Sequence, residues 1–199
     1  MMYDIYLVGV GGQGILTIGS LIAEAAEKKG LAVNFFPSKG MAQRGGFVKA
    51  QLRIGREEVG PNIPEKNADL AISMELSESL KAVRYCKPGG DYILFADIWA
   101  PTEVSLGKAA YPKLEEVQQK ITASGIHLHT LMPNQLPVYH DLPVQANLFL
   151  VGYAIAHTAL GTLLSADELE VFIQKKWTTE AEANLCAYHA GLKAKAIQA

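Results

Sequence analysis

The run YDIYLVGV, Tyr3 to Val10, passes directly into GVGGQG and then into residues with helical spacing, and this succession constrains the fold more than any other part of the chain. A short apolar run ending in glycines reads as a buried strand. Ile15, Ile18, Ile22 and Ala25 or Ala26 then recur on one helical face, and Gly30 suits the left-handed position that closes a helix. Leu31 to Phe36 supplies a second strand, so the first 36 residues predict a βαβ unit with parallel strands and a right-handed crossover. The expected class is α/β, a Rossmann-like doubly wound sheet, mixed but mostly parallel, with a helical C-terminal third.

The mixture comes from the next strand. Residues 38 to 46, SKGMAQRGG, make a loop, after which Val48, Ala50, Leu52 and Ile54 alternate with Lys49, Gln51 and Arg53. Such alternation predicts an edge or antiparallel strand with one wet face. Asp69 to Met74 and Tyr92 to Ala96 read as buried strands, separated by a helix near Ser77 to Cys86 that ends at KPGG. Leu114, Val117 and Ile121 suit a further helix, and Ile126 to Leu131 a further strand. Met132 to Pro143 carries three prolines and no periodicity, as an ordered surface connection would. Three helices follow, Val144 to Gly161, Ser165 to Trp177 and Thr179 to about Ala196, the second opened by the capping-box spacing of Ser165 and Glu168. With 199 residues, 49% of them hydrophobic, the chain is expected to fold as one domain: an α/β core over 1–131 with helices of 144–196 packed on it.

Several functions are disfavoured at this level. A net charge of −2 gives no global attraction to nucleic acid or an anionic membrane, so anion binding must be local. The most apolar stretch, Leu148 to Leu164, is short for a bilayer crossing and is interrupted by His157, and it reads as a core helix. No signal peptide opens the sequence, which points to the cytoplasm and to reduced, buried thiols. Cys86 and Cys186 stand far apart, and this chain alone cannot supply the four thiolates an iron–sulfur cluster normally needs.

The glycines offer one chemistry. Gly9, Gly11 and Gly14 satisfy G-x-G-x-x-G between a strand and a helix, where free N–H groups and the helix dipole favour an anion. The third glycine can equally serve helix–strand packing in a tight turn. The acidic residue that would bind an adenosine ribose is missing from NFFPSKG, which disfavours NAD; Lys39 keeps a 2′-phosphate, and hence NADP, conceivable. Lys39, Arg44, Lys49, Arg53 and Arg56 form a basic segment without an acid. Lys49 and Arg53 read as solubilising an edge strand. Arg44, between Gln43 and the Gly45–Gly46 pair, sits where the chain leaves a parallel strand and where ligands of open α/β sheets gather; its guanidinium suits a carboxylate or phosphate.

His127 and His129 share one side of a strand but lack a third metal ligand nearby. His157 reads as a satisfied core histidine, Tyr153 as packing, and His140 with Asp141 as a charge pair at an interface. No G-x-S-x-G elbow supports a hydrolase.

Three motifs together carry a resemblance. GVGGQGILTIGSLIAEAA, KGMAQRGGFVKAQLRIG and QANLFLVGYA, in this order along essentially the whole chain, resemble the gamma subunit or domain of the 2-oxoacid:ferredoxin oxidoreductases, the pyruvate/ketoisovalerate group included. The M-A-Q-R-G-G form is most similar to the small beta-subunit type of the indolepyruvate branch. The resemblance implies a complex that decarboxylates a 2-oxoacid on thiamine diphosphate, passes electrons through iron–sulfur clusters to ferredoxin and releases an acyl-coenzyme A. It places thiamine diphosphate, Mg and [4Fe-4S] clusters on a large partner subunit, with none bound by this chain alone and coenzyme A as co-substrate of the complex. It carries over Gly9, Gly11, Gly12, Gln13, Gly14, Lys39, Gln43, Arg44, Gly45 and Gly46 as a motif surface that lines the partner's active-site entrance and meets substrate, coenzyme A or the interface, with no catalytic residue and no metal ligand here. An aryl pyruvate such as indolepyruvate is the expected substrate, and the isolated chain is expected to be inactive, with self-association a possibility. A free-standing NADP- or flavin-binding oxidoreductase and a non-enzymatic nucleotide-binding scaffold are the alternatives.

Overall fold

The computed structural model describes residues 2–39, 46–100, 104, 106–107 and 110–197. In chain order the elements are β1 (Tyr3–Val10), α1 (Ile15–Lys28), β2 (Val33–Lys39), β3 (Phe47–Ile54), β4 (Ala68–Ser73), α2 (Ser79–Ala82), β5 (Cys86–Phe95), α3 (Leu114–Thr122), β6 (His127–Leu131), β7 (Val138–Tyr139), β8 (Leu142–Pro143), α4 (Ala146–His157), α5 (Leu160–Leu163), α6 (Ala166–Lys176) and α7 (Ala181–Lys193).

The main sheet has the order β2-β3-β1-β4-β5-β6. β1, β4, β5 and β6 pair in parallel, whereas β3 runs antiparallel to both β1 and β2. The expected mixed, mostly parallel α/β sheet is therefore present. β1 and β2 do run in the same direction, as the βαβ reading requires, but β3 lies between them.

Two apolar cores flank the sheet. One joins Ile5, Leu7, Leu52, Ile72 and Ile93 to α1, α4, α6 and α7; the other joins Tyr6, Val8, Ala71, Tyr92 and Leu94 to α2 and α3. This is the alternation of strand residues expected when both faces are covered. Ile18, Leu21 and Ile22 of α1 are wholly buried, so the apolar stripe read from the sequence faces the sheet. Gly30 takes φ 76° just beyond α1, and its N–H bonds to Glu27 O at 2.9 Å. Ser165 Oγ accepts from Glu168 N while the Glu168 carboxylate accepts from Ser165 N, completing the capping box of α6.

Other expectations are corrected. β3 is not an edge strand, and its polar face is not wet. The segment around Gly60 to Ile63 covers it: Gln51 Oε1 accepts from Ile63 N at 2.6 Å, and Arg53 donates to Gly60 O and to the Asp4 carboxylate. Arg53 thus does not solubilise an edge; it is buried in an ion pair. The expected helix to Cys86 is only α2 followed by a 3-10 turn over Val83–Tyr85, and KPGG lies within β5, where pairing with β4 shifts register between Ala68 and Leu70. Strong strand propensity in the following DYILF captures this stretch. The proline-rich connection contains the hairpin β7–β8, and the long helix expected after Val144 breaks into α4 and α5 near Thr158. His140 and Asp141, at φ 50° and 64°, are the two turn residues of that hairpin rather than a charge pair. His157 is exposed and stacks on Tyr153 with ring centroids 4.3 Å apart, so it is no core histidine. No helix of the described residues is long and apolar enough to cross a membrane.

Candidate functional site

The parallel strands β1, β4, β5 and β6 end on one edge of the sheet. Between β1 and β4 the connections leave toward opposite faces, α1 joining one core and α2 the other. That divergence makes a crevice at the strand ends, where open α/β sheets gather their ligands. The glycine loop occupies it.

Three of its glycines, Gly9, Gly12 and Gly14, have a geometric reason. A Cβ on Gly9 would lie 2.8 Å from Gln13 Oε1, and one on Gly14 would lie 2.5 Å from Asn147 Nδ2. Gly12 and Gly14 also adopt φ 108° and 83°, a region that favours glycine. Gly14 is the N-cap of α1 and brings no side chain to it, leaving first-turn N–H groups available for an acceptor.

Gln13 folds back into the room left by Gly9. Its Oε1 accepts from Val10 N at 2.9 Å, and its Nε2 donates to Met74 O at 2.7 Å and to Asp97 Oδ2 at 3.1 Å. One amide therefore ties together the ends of β1, β4 and β5. The backbone donor at Val10 and acceptor at Met74 fix the orientation of the amide. Gln13 thereby acts as a structural clasp of the crevice.

The basic loop ends beside this clasp and starts one strand further out. Lys39 closes β2 opposite Val48, which also pairs with Gly9, and Gly46 O accepts from Gly11 N at 2.9 Å. Gln43, Arg44 and Gly45 lie outside the described residues, as does the side chain of Lys39. The third motif arrives from α4: Asn147, its second residue, is buried against Gly14, and its Oδ1 accepts from Leu148 N. The glycine loop, the Gly46 end of the basic loop and the QAN start of α4 are thus contiguous in space.

Two residues that the sequence reading missed complete the rim. Asp97 holds Gln13 through Oδ2 and accepts from Ile98 N through Oδ1. Glu75, fully buried, accepts from Ser77 Oγ and Glu78 N at 2.7 Å each, from Tyr111 Oη, and from Trp99 N at 3.4 Å. Burial, reinforced by that carboxylate, raises the Tyr111 hydroxyl above its usual range, so it remains a donor. The only sequence signal was an acid placed directly after an apolar strand. Trp99 and Ile98, 48% and 63% exposed, stand next to these anchors.

The remaining candidates lie elsewhere. His127 and His129 do face one side, where His129 Nε2 lies 3.0 Å from Asp91 Oδ1 and its Nδ1 lies 3.1 Å from Tyr153 Oη. Among the described residues no group of three His, Cys, Asp or Glu could hold a metal ion. Cys86 is buried, whereas Cys186 is only half-buried, a correction to the expectation that both are buried. Burial, with Asp91 and Asp69 nearby, pushes the Cys86 thiol up to about 12. In the native protein at pH 8, Cys186 is expected to react with a disulfide reagent well before Cys86, which should follow only on unfolding; equal rates would refute that ordering.

The chain matches the family described as "Pyruvate ferredoxin/flavodoxin oxidoreductase" over residues 4–194. It is 35% identical over 195 residues to the indolepyruvate oxidoreductase subunit IorB of Pyrococcus horikoshii, covering 96% of this chain and 95% of that one. Its fold matches the keto/oxoacid ferredoxin oxidoreductase gamma subunit of Geobacter sulfurreducens with a TM-score of 0.69 at 21% identity, over 97% of this chain and 95% of that one. It also matches the 2-oxoglutarate:ferredoxin oxidoreductase of Magnetococcus marinus, TM-score 0.62 at 20% identity, over 96% of this chain but 30% of that longer one. The extent of these matches establishes that the chain belongs to the pyruvate ferredoxin/flavodoxin oxidoreductase family.

Proposed function

We propose that the chain is the gamma-type subunit of a 2-oxoacid:ferredoxin oxidoreductase and that the strand-end edge faces the entrance to an active site carried by a large partner subunit. The observation that carries this reading is the contiguity of the three motif segments around Gln13 at the crevice between β1 and β4. This edge offers N–H donors, and the sequence of the loop that returns to it carries the cations Lys39 and Arg44, a combination that suits holding a substrate carboxylate or the phosphates of coenzyme A. The partner would hold thiamine diphosphate, Mg and [4Fe-4S] clusters, and the complex would convert a 2-oxoacid and coenzyme A to acyl-coenzyme A and carbon dioxide while reducing ferredoxin. An aryl pyruvate such as indolepyruvate is the proposed substrate, and the cytoplasm the proposed compartment. Residues 1–199 would act as one gamma-type unit. Exposed Trp99 and Ile98 suit a protein interface, where aromatic anchors are enriched.

A free-standing NADP-dependent enzyme fits less well. Because β3 intervenes, the end of β2 lies two strand spacings, roughly 10 Å, from β1, which displaces Lys39 from the place where a ribose-side group adjoins the glycine loop.

Purification of the tagged chain without oxygen from its native source is expected to bring down a large thiamine diphosphate and iron–sulfur protein, with viologen reduction dependent on indolepyruvate and coenzyme A. A solitary chain retaining a nicotinamide or flavin nucleotide would overturn the proposal. Arg44→Ala is expected to lower turnover by tenfold or more, the scale of one lost charge-assisted contact of about 1.5–3 kcal/mol, while the complex still assembles. Unchanged kinetics in an assembled complex would remove Arg44 from the site.

A further inference from the structure

The two edges of the main sheet are finished differently. β2, at one end, contains Pro37 and closes at Lys39, residue types that keep an edge strand from accepting another. β6, at the other end, reads HLHTL: it carries no proline and no Asp, Glu, Lys or Arg, and its pairing with β5 runs without a shift of register. Leu131 O accepts from Ala96 N on the β5 side, so the alternation of main-chain groups along the strand turns those of Leu128 and Thr130 outward. Left open, that side is a template for a further strand.

The segment that follows α7 covers it. Ile197 forms an antiparallel bridge with Thr130, and its N–H donates to Thr130 O at 2.9 Å. In that register Lys195 falls opposite Met132, and the Gln135 amide joins the two: its Oε1 accepts from Met132 N at 2.7 Å and its Nε2 donates to Lys195 O at 2.9 Å. Ala194 and Ala196 pack against the core while Lys195 and Ile197 are exposed, the alternation of a strand. Lys195 thus brings to this edge the lysine that β6 lacks. The hold is slight, one main-chain bond and one side-chain bridge on a strand of five residues.

We propose that residues 194–197 are a guard strand, which occupies the outward edge of β6 and prevents a second copy of this chain from pairing there, β6 against β6 in antiparallel. A second copy is the occupant that the edge itself specifies. Two identical strands related by a two-fold axis present the same groups to each other, and β6 sets no like charges in opposition. β6 lies three strands from β1 and the glycine loop, so the inference goes beyond the proposed activity and does not rest on it.

Sedimentation of the full chain over a range of concentrations tests this. Ile197→Pro combined with Gln135→Leu removes both bonds of the guard and is expected to tighten self-association about tenfold relative to the unsubstituted chain. Ile197→Ala, which keeps the N–H, is expected to leave it unchanged. Adding His127→Lys to the double variant places a lysine on an exposed position of β6 and is expected to restore the unsubstituted value. A double variant that keeps its circular dichroism yet associates no more than the unsubstituted chain overturns the proposal. So does association that Ile197→Ala raises equally or that His127→Lys fails to reverse. If the double variant does not fold, ending the chain after Lys193, which leaves α7 whole, is read by the same outcomes.

Discussion

Asp4→Ala is expected to destabilise the protein by about 3–5 kcal/mol, a large part of the roughly 5–15 kcal/mol that holds an ordinary domain folded. Asp4 is 1% exposed at the start of β1 and receives Arg53 through two contacts, Nη2 to Oδ2 at 2.9 Å and Nε to Oδ1 at 3.2 Å, with Arg56 at 3.7 Å. Its backbone N–H donates to Asp69 Oδ2, and Asp69 in turn pairs with Lys87. Removing the carboxylate leaves the Arg53 guanidinium buried without its counter-charge, and Gly60 O alone cannot replace it. The cost comes from the stranded cation, not from a large net gain in the native pair, because both charges were desolvated to form it. Paired replacement, Asp4→Leu with Arg53→Met, should therefore recover most of the loss. Urea unfolding of the three proteins decides the matter: a double variant as unstable as Asp4→Ala would refute the stranded-charge explanation. Assembly should survive wherever the variant remains folded, since Asp4 and Gly9 are five residues apart along β1, roughly 16 Å.

That ion pair also shows what the sequence could convey. Alternation in β3 correctly identified a strand that differs from its parallel neighbours, because the period of two survives in any environment. It could not reveal that a distant segment near Gly60 would cover the polar face, so Arg53 was assigned to solvent. The glycine loop was legible for a similar reason: steric demands at Gly9 and Gly14 leave a local signature, and the strand–loop–helix context is contiguous in the chain. Its clasp was not, since Gln13 finds Met74 and Asp97 through the crossover between β1 and β4, and Glu75 meets Tyr111 across 36 residues. Arg44 and Gln43 stood out as motif residues, and of the described ends of their loop Gly46 returns beside Gly11 while Lys39 lies one strand further out, opposite Val48. Helix breaks at Thr158 and Val83 escaped notice because apolar composition continues through them.

Gly191→Val is the second substitution expected to have a large effect, about 3 kcal/mol or more of stability, at or above the upper end of ordinary overpacking. A Cβ on Gly191 would stand 1.9 Å from Phe149 O, and one on Gly152 would stand 2.2 Å from Tyr188 O, so α4 and α7 cross with their backbones nearly touching. Both obstructing atoms are main-chain oxygens, and no rotamer change can relieve the overlap; the helices must separate. Valine also fits a helix no more than slightly better than glycine, so propensity offsets only a few tenths of a kcal/mol. The consequence reaches the candidate site because α4 is a single helix from Ala146 to His157: displacing it at Phe149 moves Asn147, two residues earlier, away from Gly14. Amide hydrogen exchange should then rise in the first turn of α1 as well as along α4 and α7, with a lowered melting temperature. If exchange rises in α7 alone while the start of α1 remains protected, the start of α4 does not transmit the shift, and the coupling between the helical third and the glycine loop is lost as an explanation for why these motifs occur together.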